Sequence, residues 1–292
     1  MKKEIIKAYA KINLHLDVIG KAENGYHEVA TVMQTVSLCD ELEVSLKDSR
    51  PHSISCNLPS VPTNEKNLAW RAADLFFERT GLPFGADIKI VKRIPVAAGL
   101  AGGSTDAAAV FVALNRLCAF PLNEEELLAL GARLGADVPF CIAGGTKFAD
   151  HYGERLHDFP KMPKCFIAVA CGSEGVSTPW AYSTLDGAYA DFAEGRYTPH
   201  SIDPLRAALS AGDVKKMSRC IYNVFEGAIE PHRAQVTEIK RVMSESGALG
   251  VMMSGSGPSV FGIFGDKSSA EEAVDKLSQI GIDAFLAIPV FN

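Results

Sequence analysis

Residues Pro95 to Ala108, PVAAGLAGGSTDAA, constrain the fold most, because three glycines (Gly99, Gly102, Gly103) and two hydroxyls (Ser104, Thr105) lie between two different hydrophobic periods. Before them, Ile88 and Ile90 alternate as in a short strand. After them, Ala107, Val110, Phe111, Leu114 and Leu117 recur at three- and four-residue spacing, the stripe of an amphipathic helix. The chain is therefore predicted to pass from strand through loop into helix. Small residues let a backbone approach a ligand closely, and the N–H groups of a first helical turn have no partner inside the helix, which favours an anion such as phosphate. A tight strand-to-helix turn with Ser104 as N-cap fits the same residues. The stretch is not G-x-G-x-x-G, and no lysine follows the glycines, so neither a dinucleotide fingerprint nor a Walker loop is present.

The remaining chain reads as mixed α+β in two layers. From Ala10 to Val18 the residues alternate strictly, with Lys11, Asn13, His15 and Asp17 on the polar face of a strand. Asn24-Gly25 has turn chemistry, and Val29 to Val44 continues as extended segments. Helices are predicted over Asn67 to Thr80, stopped by Gly81, and after the N-cap Asn123, where Glu124, Glu125 and Glu126 face the positive end of the dipole and Gly135 ends the helix. Pro160 and Pro163 suggest a linker. Beyond it come a strand over 165–170, helices over 204–211, 214–220 and 236–246, strands over 251–253 and 260–264 around a second Gly-rich turn, a helix over 270–279 and a strand over 284–290.

A length of 292 residues suggests about two domains at roughly 150 residues each. With 29 Lys and Arg against 35 Asp and Glu, the net charge of −6 lacks the basic excess of a nucleic-acid or anionic-membrane binder, so an anionic ligand needs local devices. Seven scattered cysteines without a C-x-x-C pair predict free thiols and a cytoplasmic setting. The first seven residues carry no apolar signal segment, and no apolar run approaches the roughly 20 residues of a membrane span.

PVAAGLAGGSTDAA resembles the second motif of the GHMP kinases, small-molecule kinases with a phosphate loop of their own. AYAKINLHL (residues 8–16), NGYHE (24–28), LGADVPF (134–140), STPWAY (177–182) and MSGSGPSVFGIF (253–264) follow in order over nearly the whole chain. Together they resemble the branch of that family whose acceptor is 4-diphosphocytidyl-2-C-methyl-D-erythritol, on the non-mevalonate route to isoprenoid precursors. The resemblance implies an α+β, two-domain architecture. Residues 1–158 would form an ATP-binding domain like domain 2 of ribosomal protein S5, residues 159–292 a ferredoxin-like substrate domain, and the active site would lie in the cleft between them. The departures are Ala98 and Ala101, where the family often has glycine, and Val224, where it usually carries Asp.

The resemblance also assigns roles. Asp137 matches the base that takes the acceptor's 2-hydroxyl proton, and Lys11 the cation that pairs with it. Without the resemblance, Asp137 would read as a loop or cap residue where the chain leaves a helix, and Lys11 as part of a solvated strand face. Asn13 would bond the substrate or orient Lys11, and His15 is read as structural. Tyr26 and Tyr182 match two aromatics that sandwich cytosine, His27 would read the base edge, and Thr178 would line the same pocket; alone, two distant tyrosines are packing residues. Pro95, Gly99, Gly102, Gly103, Ser104 and Thr105 would cradle the phosphates of ATP, with Asn67 and Lys92 near adenine. Magnesium would bridge the β- and γ-phosphates, held by the hydroxyl of Ser104 or Thr105 and by water. Gly255-Ser256-Gly257 would approach the substrate diphosphate, close the site, or serve as a plain hairpin turn. Mevalonate, homoserine or a sugar as acceptor, and a regulatory nucleotide binder without catalysis, are the competing readings.

Overall fold

The computed structural model describes residues 2–23, 25–172, 175–188 and 197–291, so Asn24 of the expected turn lies outside them. The chain divides into two compact units interleaved in sequence: Met1–Ala10, Leu38–Val96 and Ala101–Gly144 form the first, and Lys11–Ser37, Ala97–Leu100 and Gly145–Asn292 the second. Two long strands, β1 (Lys3–Lys21) and β2 (His27–Lys47), run through both. Each extends well past its predicted segment.

In the first unit, the end of β2 pairs antiparallel with β4 (Gly85–Val91), from Glu41 opposite Val91 to Lys47 opposite Gly85, and β3 (Ser53–Cys56) lies parallel to β4. Four helices cover this sheet: α1 (Leu68–Thr80), α2 (Gly102–Leu117), α3 (Glu124–Ala132) and α4 (Asp137–Ala143). The Asn67 side chain accepts from Ala69 N to start α1, and Gly81, at φ 69°, ends it. At α3, Asn123 and Glu126 form a reciprocal capping box. Ala69, Ala72, Ala73, Phe76 and Phe77 of α1 join Ala107, Val110, Phe111 and Leu114 of α2 in one core. Small alanines let the helices approach while the phenylalanines fill the space between the layers.

Two predicted boundaries are corrected. The second helix begins at Gly102, not Ser104, and Ala101 rather than a serine stands at its cap, in the left-handed region at φ 59°. Asp137 does not sit where a chain leaves a helix; it opens the first turn of α4, a short helix that the glycine and proline on either side of it concealed.

The second unit carries a four-stranded antiparallel sheet in the order β11-β7-β10-β9. After β5 (Thr146–Asp150), β6 (Arg155–Asp158), β7 (Phe166–Cys171) and α5 (Thr178–Ala188) come α6 (Asp203–Ser210), α7 (Val214–Ser218), β8 (Tyr222–Asn223) and α8 (Val224–Ile229). Then follow α9 (Ala234–Glu245), β9 (Gly250–Met253), β10 (Val260–Phe264), α10 (Lys267–Gln279) and β11 (Asp283–Ala287). With α9 and α10 as crossovers, β7, β9, β10 and β11 make the ferredoxin-like βαββαβ unit, its fourth strand beside its first. Its core joins Ala168 and Ala170 to Ile239, Val242, Met243, Val260, Phe264 and Leu277.

The start of β2 pairs with β5, and β1 pairs in parallel with β8 at His15 opposite Tyr222. The expected linker is packed: Phe159 and Met162 are buried, and Met162 N donates to Thr146 Oγ1. No helix among the described residues is long and apolar enough to cross a membrane. None of the seven cysteines is in a disulfide, and burial pushes the Cys165 thiol up to about 12.

Candidate active site

The Gly-rich loop is held at both ends and at its tip. At its strand end, buried Asp40 accepts from Arg93 N and Ile94 N. Asp40 also pairs with the buried ammonium of Lys92, which donates in turn to Asp106 Oδ2 at 2.9 Å and to the Gly102 carbonyl at 3.1 Å. One cation thus ties the strand entering the loop to the helix leaving it. A Cβ on Gly102 would lie 3.1 Å from the Lys92 nitrogen, so glycine leaves room for that reach. Burial pulls the Lys92 pKa down, but Asp106 and Asp40 outweigh it and the net direction is up. Burial pushes Asp106 up with only partial offset by Lys92, and Asp106 Oδ1 has no hydrogen-bond partner among the described residues.

At the tip, Gly99 (φ 76°) packs so closely on the second Gly-rich turn that a Cβ would lie 2.2 Å from the Ser254 carbonyl. Ser254 Oγ donates to the Gly99 carbonyl at 3.1 Å and Ser259 N to the Ala98 carbonyl at 3.3 Å. The turn containing Gly255 and Gly257 is therefore a buttress of the first loop rather than an isolated hairpin. Gly103 is exposed, Ser104 half-buried, and the first turn of α2 contains no acidic side chain. Within the helix, the first i→i−4 bond reaching back to the cap is Thr105 N to Ala101 O, which leaves the N–H groups of Gly102, Gly103 and Ser104 without intrahelical acceptors.

Asn67 and Lys92 have structural duties: the Asn67 carboxamide caps α1 and donates to the Pro62 carbonyl, while the Lys92 ammonium is spent on the network above. Of the two loop hydroxyls, Thr105 is buried and donates to the Tyr9 carbonyl at 2.7 Å. Ser104 is the more accessible. Among the described residues no group of three or more His, Cys, Asp or Glu side chains could hold a metal ion. A hard cation carried by phosphate oxygens and water, with one hydroxyl from Ser104, fits this donor set; a carboxylate cage does not.

The polar row on β1 is not a solvated face. Lys11 and Asn13 are 4% and 3% exposed, and His15 and Asp17 are fully buried. The Lys11 backbone N–H donates to the Leu100 carbonyl at 3.2 Å, which places Lys11 beside the loop. Its ammonium donates to Asn13 Oδ1 at 2.7 Å, Asn13 Nδ2 to Thr31 Oγ1 at 2.8 Å, and Thr31 Oγ1 to the His15 carbonyl at 2.7 Å. Asn13 thus orients Lys11. Farther along the row, Asp17 accepts from Tyr197 Oη and His200 N, each at 2.7 Å. Neither ring nitrogen of His15 has a hydrogen-bond partner among the described residues, and burial together with His200 lowers its pKa to about 4. Asp137 is half-buried in the first turn of α4, in the other compact unit from Lys11.

A third cluster surrounds His27. Its ring stacks on Tyr182 with centroids 4.6 Å apart, and Phe225 meets Tyr182 edge-on at 4.9 Å. His27 Nε2 lies 2.7 Å from Asp186 Oδ1, whose other oxygen accepts from Lys21 at 2.8 Å. Tyr26 is 66% exposed and packs against Tyr152 at 5.4 Å. Thr178 is exposed at the start of α5. Asp40, Asp106, Tyr152 and Asp186 were missed from the sequence. Asp106 follows the hydroxyls of the loop and was legible as a neighbour, whereas Asp186 has no local signal.

Residues 67–145 match the GHMP kinases N terminal domain and residues 205–283 the GHMP kinases C terminal domain. A 4-diphosphocytidyl-2-C-methyl-D-erythritol kinase of Caldicellulosiruptor saccharolyticus is 41% identical over 273 residues, covering 94% of this chain and 92% of its own. The chain belongs to the GHMP kinase family. The corresponding kinase of Acetivibrio thermocellus is 42% identical, covering 96% of this chain and 97% of its own. Among solved structures, a 4-(cytidine 5'-diphospho)-2C-methyl-D-erythritol kinase superposes with a TM-score of 0.82 at 33% identity, covering 99% of this chain and 100% of its own. L. major mevalonate kinase in complex with R-mevalonate shares the fold, with a TM-score of 0.74 at 16% identity over 99% of this chain and 98% of its own. The Gly-rich loop and Asp137 fall within the N-terminal match, and the Gly255 turn within the C-terminal one.

Proposed function

We propose that this GHMP kinase transfers the γ-phosphate of ATP to the 2-hydroxyl of 4-diphosphocytidyl-2-C-methyl-D-erythritol, yielding ADP and the 2-phosphate. The phosphates lie against the free N–H groups of α2 and the Gly99 loop, where no acidic side chain opposes them. Asp137 accepts the hydroxyl proton as the oxygen attacks phosphorus, and the Lys11 ammonium, aimed by Asn13, stabilises the developing negative charge. The Ser104 hydroxyl and water would hold the magnesium that comes with ATP, which would supply offsetting charge to the phosphates. Cytosine stacks between Tyr26 and Tyr182, with His27 at its edge and Thr178 lining the pocket.

The observation that carries the kinase assignment is the Lys11 backbone bond to Leu100 in the Gly-rich loop, from a residue whose buried ammonium is oriented by Asn13. The acceptor assignment is supported by the His27–Tyr182 stack beside an exposed Tyr26. A domain boundary between residues 158 and 159, with ATP bound ahead of it, belongs to the same proposal. So does a cytoplasmic enzyme acting on a small molecule, without nucleic acid or membrane. The test is ADP release with ATP and magnesium, comparing the cytidine compound with mevalonate, homoserine and galactose. Turnover with the cytidine compound alone is expected; turnover with another acceptor removes the cytosine pocket, and ATP binding without turnover on any of them favours the regulatory reading.

A further inference from the structure

We propose that Asp186 is a positioning residue that determines base specificity: by accepting the proton on His27 Nε2 it leaves Nδ1 as a bare acceptor and selects an exocyclic amine, favouring cytosine over uracil. The inference rests on the cytidine-acceptor reading above and adds a residue to it. An ionised carboxylate can only accept, so the 2.7 Å contact between Asp186 Oδ1 and His27 Nε2 puts the proton on Nε2. A neutral imidazole then has its lone pair on Nδ1, to which no described residue donates. Cytosine offers an amine N–H to such a lone pair; uracil carries a carbonyl at the same ring position and sets lone pair against lone pair.

The geometry makes this an oriented device rather than a loose ion pair. Tyr182 and Asp186 stand four residues apart on α5 and so share one face of that helix. Tyr182 fixes the plane of the His27 ring by stacking at 4.6 Å with 26° between planes, and Asp186 fixes its edge. The second carboxylate oxygen is occupied by Lys21 at 2.8 Å, which keeps the acid from rotating. Burial pushes the Asp186 carboxyl up, but the hydrogen bonds from Lys21 and His27 outweigh it, so the group remains ionised. Among the described residues, Asp186 and Tyr182 meet the His27 ring, with Lys21 acting through Asp186.

The test is kcat/KM for the cytidine- and uridine-diphosphate-linked acceptors in the wild type, Asp186→Ala and Asp186→Glu. The wild type is expected to prefer cytidine, and Asp186→Ala to cut that preference by roughly tenfold or more, the scale of one mispaired polar contact. The loss should fall on the acceptor KM more than on kcat, with the KM for ATP unchanged as a control on folding. Asp186→Glu, which restores an acceptor, should recover most of the preference. A preference that Asp186→Ala leaves intact while both acceptors lose equally makes Asp186 a structural strut and overturns the inference alone. A wild type that ignores the cytidine compound overturns the acceptor assignment and this inference with it.

Discussion

Lys11 acts through both its backbone and its side chain: its N–H holds Leu100 at the end of the loop, and its ammonium is aimed by Asn13. Asp137, in the first turn of α4, is proposed as the base, a different duty, and the two should separate experimentally. Asp137→Ala is expected to lower single-turnover phosphoryl transfer by at least about a hundredfold, the scale of a general base, while fluorescence titration with ATP shows binding within about twofold of wild type. His15 makes a second prediction at this scale. It is neutral in the fold, with its pKa lowered from 6.5 to about 4, so its contribution is full above pH 6.5 and is lost as pH falls toward 4. The loss amounts to about 3 kcal/mol for one fully buried group at about 1.36 kcal/mol per unit. His15→Leu should therefore lose less thermal stability than wild type between pH 6.5 and 4.5, measured by differential scanning calorimetry. Asp17, pushed up by burial against Tyr197, His200 and Val18, carries the opposite sign, which is why the difference between variant and wild type is the measurement that isolates His15. Equal losses in both proteins would show that His15 takes up its proton as readily inside the fold as in the unfolded chain.

At the scale of elements, the start of α2 depends on one buried cation. Lys92→Met leaves Asp40 and Asp106 buried without their partner and is expected to cost about 3–5 kcal/mol in urea unfolding, the range for breaking a buried pair from one side. Adding Asp106→Asn should recover part of that loss; no recovery would place the cost elsewhere. Ala101 holds the left-handed cap of α2 at φ 59° with a Cβ that disfavours it. Ala101→Gly should raise the thermal midpoint, relieving about 1 kcal/mol of strain less the entropy that glycine gives back to the unfolded chain. The cap location also explains why the helix start was read two residues late: serine and threonine have the chemistry of a cap, but the backbone turns at an alanine that carries no such signal.

For the whole molecule, interleaving matters more than any single boundary. The second unit takes strand partners from β1 and β2, and its C-terminal segment bonds back to β2 through Ser37 N to Ile288 O and Val290 N to Thr35 O. A fragment of residues 159–292 lacks both strands. It is expected to show no cooperative thermal transition by circular dichroism, because the edge groups of β8 and of residues 288–290 lose their partners. A sharp transition in the fragment would mean that the βαββαβ sheet is sufficient alone. The absence of a transition in the fragment would make the proposed boundary at residue 158 one of sequence organisation rather than of independent folding.

By itself, the sequence determined which residues share a face and where the chain turns: the alternation of β1, the apolar stripe of α2, the caps at Asn67 and Asn123, and the Gly-rich loop between strand and helix. Those are local properties, set by periods of two and 3.6 residues and by backbone chemistry within a few positions. What covers a face is not local. The row Lys11, Asn13, His15 and Asp17 reads as a solvated strand face until Thr31, Tyr197, His200 and Tyr222 are brought over it from 16 to 207 positions away. Tertiary structure likewise decided that Lys92 is a buried clamp, that Asp137 begins a helix, that the two Gly-rich turns buttress one another, and that Asp186 reaches His27 across 159 residues. The cause is the same in each case: a buried charge or polar group needs a partner, and the partner is supplied by whatever the fold packs beside it, which no spacing along the chain encodes.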